Sequence, residues 1–283
     1  MDPAVRKETK RRAGIMAIRI CVAGATGWVG KELITAIYHP ENSERFTLSA
    51  AVARNVCGKH IGDVLKLGFP GVVVSKTVAD ALAGGDSDVL IDYTHPNAAF
   101  DHVTTAVKNK VHVVIGTSGL TGDQYRKIDT LARQQGAGVI ASGNFSLSAM
   151  WMQRLALQAA TAFSQWEILD YAGAGKPDAP SGTARELAFR LREVKTPAWE
   201  VPPDQVQGPE GVRGASLDGS QIHSMRVPGF VLSTEIIFGH DDERLTIRHD
   251  SGANAQAYVN GTLMAAEKAG TVTGLIRGLD RIL

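Results

Sequence analysis

The sequence predicts an α/β chain in two parts: a parallel sheet with helices on both faces, then a region built on a mainly antiparallel sheet. Three observations predict it. A β-branched apolar run stops at a glycine-rich turn, and a helical pattern follows. Short apolar runs then alternate with helical stretches through the first half, which is the signature of βαβ units. In the second half, strand-like segments follow one another with little helix between them.

Residues 17–23 (AIRICVA) form the first buried strand and end at Gly24. Residues 31–38 carry Leu33, Ile34 and Ile37 at helical spacing. Further strands are read at 47–53 (TLSAAVA), 88–92 (DVLID), 111–115 (VHVVI) and 138–141 (GVIA), with a helix over 121–135 before the last. Residues 148–163 are a helix with aliphatic spacing, 167–171 are strand-like, and 182–194 are a helix with Leu187, Phe189 and Leu191. Pro197, Pro202, Pro203 and Pro209 mark a loop. Segments 223–227, 230–238 and 244–249 alternate like strands, and 256–268 closes as a helix. The domain boundary falls near Gly143. This gives a dinucleotide-binding domain of 17–143 with 253–283, the return of the last helices resting on fold analogy, and a second domain of 144–252.

Composition limits the function. With 44% hydrophobic and 21% charged residues, 283 residues are ordinary globular chain, which excludes wholesale disorder and a fibrous protein. Thirty basic against 29 acidic residues give +1, without the basic excess of a nucleic-acid binder. No apolar run approaches the roughly 18 residues of a membrane span. Cys21 and Cys57 are too few for a disulfide framework and read as reduced thiols of a cytoplasmic protein. Residues 1–16 carry Arg6, Lys7, Lys10, Arg11 and Arg12 with no apolar stretch, so they read as a disordered basic tail rather than a secretory signal, and Met16 is a candidate second start. No Cys, His and Asp spacing suits a metal site.

The stretch Gly24-Ala25-Thr26-Gly27-Trp28-Val29-Gly30 lies between the first strand and the first helix. A sharp turn and a close ligand both need glycine there, and the helix start offers amides to a pyrophosphate. The spacing is G-x-x-G-x-x-G, and its place in a βαβ run lifts it above an ordinary tight turn. An NAD site usually has Asp or Glu after the second strand. Here Ala53-Arg54 stands there and no carboxylate follows until Asp63, while Arg54 and Lys59 suit a 2′-phosphate. The expectation is NADPH, with NADH possible and a merely solvated Arg54 as the alternative. Asp92-Tyr93-Thr94-His95-Pro96 and Gly116-Thr117-Ser118-Gly119 stand where strands end, either as ligand sites or as simple turns.

These segments together resemble one family, the dihydrodipicolinate reductases of bacterial lysine biosynthesis. Lys176-Pro-Asp-Ala-Pro-Ser-Gly-Thr-Ala184 is similar to its K-x-D-A-P-S-G-T-A signature, and Gly143-Asn144-Phe145-Ser146 resembles its domain junction. Residues 235–239 (EIIFG) and 244–251 (RLTIRHDS) are similar to its later strands. The resemblance implies a Rossmann-like domain joined to a mixed α+β substrate and oligomerisation domain, assembled as a homotetramer. It implies hydride transfer to a conjugated cyclic imine carrying carboxylates, with Asn144 and Phe145 at the cofactor and Ser181, Gly182 and Thr183 on a substrate carboxylate. The residues agree independently: Ser181 to Thr183 open a helix behind Pro180, and helix starts bind anions. An ordinary N-cap would account for Ser181 alone.

The chain also departs from that pattern. Where the family reads H-H-x-x-K, this sequence has Ala172-Gly-Ala-Gly-Lys176. A family arginine near the last helix falls near Ala255, and a strand histidine at Ser233. Lys176 is then the evident cation beside the Ser-Gly-Thr element, expected to stabilise charge on nitrogen or to donate a proton. Asp170, Tyr171 and His95 are candidate compensators, with His95 alternatively positioning the nicotinamide, and His223 and His249 read as structural strand residues. The losses favour a small-molecule imine or iminium other than the lysine precursor. The lysine-pathway reaction itself and a non-catalytic NADPH-binding sensor are the alternatives.

Overall fold

The computed structural model describes residues 16–283, so the expected basic tail lies outside the described residues except for the exposed Met16. The chain divides into two compact units. The first holds the described residues up to Ile115, with Gly122–Val139 and Ala266–Leu275. The second holds Gly116–Thr121, Ile140–Ala265 and Ile276–Leu283. The division therefore falls just before Gly143, inside the strand of residues 138–141. The expected single return of 253–283 to the first domain is corrected, because most of the helix starting at Gln256 belongs to the second unit.

The elements that build the first sheet begin with β1 (Ile18–Ala23), α1 (Trp28–Tyr38) and β2 (Phe46–Val52). After a 3-10 turn at Arg54–Val56 come α2 (Ile61–Leu65), β3 (Val74–Ser75) and α3 (Val78–Leu82). Then follow β4 (Val89–Asp92), α4 (Pro96–Lys108), β5 (His112–Ile115), α5 (Gly122–Gln135) and β6 (Gly138–Ala141). The seven-stranded order is β12-β6-β5-β4-β1-β2-β3, where β12 is Gly274–Arg277. Strands β1, β2, β3, β4 and β5 pair in parallel. The order therefore reverses between β1 and β4, the switch point beside which open α/β sheets bind ligands. From Ile20 to Ala23, β1 is wholly buried, as a parallel strand covered on both faces must be. Leu33, Ile34 and Ile37 form the buried stripe of α1 as their spacing predicts.

Helix α4 was not legible as a periodic run. Its start is set by Pro96 at the first helical position behind the capping His95, and its buried face is Ala99, Val103, Ala106 and Val107. Two alanines make that face look weakly apolar in sequence.

The second unit begins with α6 (Leu147–Ala162), β7 (Gln165–Ala172) and α7 (Gly182–Val194). Strands β8 (Ala215–Leu217), β9 (Ser220–Arg226), β10 (Leu232–His240) and β11 (Glu243–Ser251) and helix α8 (Gln256–Ala269) follow. The five-stranded order is β11-β10-β7-β9-β8. Three pairings are antiparallel, but β7 and β9 run parallel, so the sheet is mixed. In β7, Trp166, Ile168, Asp170 and Ala172 are buried, and the residues between them less so. Trp166 and Ile168 pack with Met152 and Ala156 of α6, Leu187 and Leu191 of α7, and Phe238 of β10. Trp166 donates its indole N–H to Ser220 at 3.0 Å, which satisfies the polar end of the largest buried ring.

Candidate functional site

The glycine turn is built as a cradle. Gly24 sits at φ +83°, and a β-carbon there would lie 2.1 Å from the Tyr93 carbonyl oxygen. A β-carbon on Gly30 would lie 2.1 Å from the Gly24 carbonyl oxygen. Both positions thus require glycine, the first by conformation and space and the second by space alone. The Gly27 amide donates to the Gly24 carbonyl at 2.9 Å and closes the turn. Ala25 and Val29 point inward, while Thr26 and Trp28 are exposed. Gly27 precedes helix α1 as its N-cap with no side-chain cap bond, and no acidic residue lies in the first turn, which suits a bound anion. These residues fit a dinucleotide pyrophosphate. Arg54 opens the 3-10 turn after β2, is exposed, and makes no ion pair among the described residues.

At the end of β4, Asp92 is fully buried. Its Oδ2 pairs with Nδ1 of His102 at 2.8 Å, and its Oδ1 accepts from the Thr94 hydroxyl at 2.8 Å. Burial first, and then the charge of Asp92, push the Cys21 thiol up to about 12, so Cys21 is an inert thiol. His95 serves as the cap of α4, its Nδ1 accepting from the Asn97 amide at 3.3 Å. That local bond explains His95 without a catalytic role.

In the second unit Ser181 caps α7. Its hydroxyl accepts from the Ala184 amide at 3.3 Å, and its own amide donates to Asp170 Oδ2 at 2.9 Å. Among the described residues, the amides of Gly182 and Thr183 remain as the uncapped donors of the first turn. Thr183 is buried, and its hydroxyl oxygen accepts from Asn144 Nδ2 at 3.1 Å. Gly116, Thr117 and Ser118, expected at the cofactor, belong to this unit, and a β-carbon on Gly182 would meet Ser118 Cβ at 3.1 Å. Asn144 and Phe145 lie in it too. Asn144 Oδ1 accepts from the Ser146 amide at 2.8 Å, and Phe145 is buried. Beneath them Glu186 accepts from the Gly143 amide and the Ser142 hydroxyl. Burial pushes the Glu186 carboxyl up, against the opposing effects of the Gly143 hydrogen bond and the Arg190 charge.

Two expected compensators are corrected. Asp170 is buried, and its Oδ2 receives Arg226 at 2.7 Å, the Ser181 amide, and the Ser224 hydroxyl at 3.1 Å. It holds the start of α7 in place and is not a free acid. Tyr171, the next residue along β7, points to the opposite sheet face. There it stacks on Phe230 at 5.1 Å, lies under Arg248 at 5.1 Å, and donates its hydroxyl to Glu235 at 3.4 Å. Burial, and then Glu235, push its phenol up. Tyr171 therefore leaves the catalytic set. The alternation of a strand was the available signal, since neighbouring residues cannot face one site.

Lys176 is not the sole cation of this region. Its Nζ lies 2.6 Å from Asp178 Oδ1, Arg185 approaches Asp178 Oδ2 at 3.6 Å, and Arg226 donates to the Asp178 carbonyl at 2.7 Å. Burial opposes ionisation of Asp178, but Lys176 and then Arg185 hold its carboxyl below the usual carboxylate range. Ala172 and Ala255 are fully buried methyl groups. His223 pairs with Glu167 at 2.6 Å, and His249 is buried with Nε2 at 3.5 Å from the Ser146 hydroxyl, so both have structural partners.

The first unit holds a switch-point sheet with a glycine cradle and the second a helix start with a lysine before it, and the chain is an NAD(P)H-dependent oxidoreductase acting on a C=N bond. The chain belongs to the dihydrodipicolinate reductase family: the model of that reductase's N-terminus matches residues 18–145, and that of its C-terminus matches 148–283. A 4-hydroxy-tetrahydrodipicolinate reductase of Geobacillus kaustophilus is 35% identical over 270 residues, covering 95% of this chain and all of that protein. One of Lysinibacillus sphaericus is 33% identical over 271 residues, with the same coverage. The dipicolinate-bound dihydrodipicolinate reductase of Paenisporosarcina sp. TG-14 superimposes with a TM-score of 0.74 at 32% identity, covering 95% of this chain and all of that one. An amine dehydrogenase from Mycobacterium smegmatis, at 15% identity over 93% of this chain and 95% of its own, shares the fold with a TM-score of 0.67.

Proposed function

We propose that this chain reduces a cyclic C=N substrate bearing a carboxylate, with 4-hydroxy-tetrahydrodipicolinate as the first candidate. One observation carries the reading: the uncapped amides of Gly182 and Thr183 open α7 just beyond Lys176, in a segment similar to the family signature. Those amides, with the buried Thr183, hold a carboxylate at the helix start. Ser181 sets the helix start through its own cap and its tie to Asp170. The nicotinamide cofactor, when bound, supplies the hydride. Asp178 orients the Lys176 ammonium, which stabilises developing negative charge on the substrate nitrogen and gives it a proton from Nζ. Gly24 to Gly30 seat the pyrophosphate, and exposed Arg54 favours NADPH over NADH. Cytoplasmic assembly as a homotetramer belongs to the same proposal, and sedimentation of the purified chain tests it.

A different imine is the second reading. Ala172 and Ala255 bring only methyl groups, and Gly173 brings no side chain, where the resemblance calls for histidines and an arginine. An iminium already carries positive charge and needs no histidine acid. Loss of NADPH absorbance with freshly generated 4-hydroxy-tetrahydrodipicolinate, and in parallel with cyclic imines bearing one carboxylate or none, decides between them. Turnover of the lysine precursor supports the first reading. Turnover of a simpler imine alone supports the second. NADPH binding without turnover of any imine would overturn both.

A further inference from the structure

Asp92 presents an unexplained cost. A fully buried carboxylate at the end of β4 is expensive unless it is paired and hydrogen-bonded, and a strand-to-helix turn needs no charge at all. Three of its contacts show what it holds. Oδ2 faces Nδ1 of His102, one turn and a half into α4, at 2.8 Å. Oδ1 accepts from both the hydroxyl and the amide of Thr94, at 2.8 and 3.2 Å. Nδ1 of His102 also lies 3.4 Å from the Thr94 hydroxyl. The three side chains thus lock residues 92–94 to α4.

The locked segment is a wall of the glycine cradle. The Tyr93 amide donates to the Ala23 carbonyl at 3.0 Å, and the Tyr93 carbonyl occupies the place a Gly24 β-carbon would need. The Thr94 methyl would be 3.5 Å from that same β-carbon. A shift of residues 93–94 is therefore a shift of the surface against which the Gly24 turn closes. We infer that Asp92 and His102 are positioning residues for the cofactor: His102 orients the Asp92 carboxylate, and Asp92 holds Tyr93 and Thr94 against the Gly24 turn so that the turn is formed before the dinucleotide arrives. The inference rests on the assignment of that turn to the cofactor. Neither residue is asked to touch the reacting atoms.

The test uses two substitutions at the partly exposed His102. His102→Asn keeps a side-chain N–H near the place of Nδ1, and His102→Phe removes it while keeping a ring. Dissociation constants for NADPH are measured by calorimetry, together with kcat, the KM of the imine and the melting temperature. Expected for His102→Phe is a loss of about tenfold or more in NADPH affinity, in line with the loss of an orienting partner behind a ligand, with kcat and the imine KM near wild type. His102→Asn is expected to restore most of the affinity. Unchanged NADPH affinity in His102→Phe would overturn the inference, as would equal losses in both variants or a fall in kcat without a change in affinity. Failure of the unmodified chain to bind NADPH would overturn the cofactor assignment itself and this inference with it.

Discussion

At the residue scale, the proposed function gives Lys176 to the substrate and Arg54 to the cofactor, and the two roles are separable. Lys176→Ala removes the ammonium paired with Asp178 and is expected to lower kcat by about one to two decades, the value of a charge-assisted contact of roughly 1.5–3 kcal/mol. NADPH affinity should stay near wild type, and loss of cofactor binding in that variant would sink the assignment. Arg54→Ser has the converse expectation. With no ion pair to any described residue, Arg54 is open to a 2′-phosphate. Its loss should weaken NADPH by about tenfold while NADH, which lacks that phosphate, is unaffected. Equal effects on the two cofactors, read as Kd values side by side, would show that Arg54 is merely solvated. Asp170 teaches a further lesson at this scale. A carboxylate one residue from an apparent site reads as an acid in sequence, yet Arg226, 56 positions away, turns it into a brace.

At the element scale, the start of α7 is held from three directions: Asp170 on the Ser181 amide, Asn144 on Thr183, and Glu186 on the Gly143 amide. Glu186 gives this arrangement a pH dependence. Burial raises its carboxyl in the folded chain above its ordinary value, so the folded state binds a proton that the unfolded state has already released. Stability therefore falls as pH rises from the unfolded value through the raised folded value. Glu186→Gln, which keeps an acceptor for Gly143, should flatten that fall. Urea midpoints from mildly acidic to neutral pH check it, and parallel profiles for the two proteins would refute it. Helices α1 and α7 were legible because their apolar residues recur at helical spacing, and the strands and α6 because they are apolar runs. Helix α4 and the short β3, β8 and β12 were not. The buried residues of α4 are interrupted in sequence by polar residues such as Asp101, Thr104 and Thr105, β3 and β8 have only two and three residues, and β12 is mostly only partly buried.

At the scale of the whole molecule, the chain's end is structural. Asp280 lies in the last turn and pairs bidentately with Arg190 of α7, whose side chain is 5% exposed. Asp280→Ala leaves a buried guanidinium without its carboxylate and is expected to cost about 3–5 kcal/mol of stability. Denaturant unfolding measures it, and a change below roughly 1 kcal/mol would show that water replaces the carboxylate at little cost. The same pair shows that the last residues complete the second unit, whereas fold analogy had returned them to the first.

What the sequence by itself determined is local and periodic. Apolar runs and alternation set the strands, the glycine spacing after β1 marked the turn, and the signature from Lys176 to Ala184 pointed to a helix start proposed to take a carboxylate. What only the tertiary structure decided is which charges are buried and what they face. Asp92 with His102, Asp170 with Arg226, and Arg190 with Asp280 lie 10, 56 and 90 positions apart. Period and spacing act over one turn or one strand. The burial that makes a carboxylate need a partner is set by elements folding onto one another, and no local pattern records it.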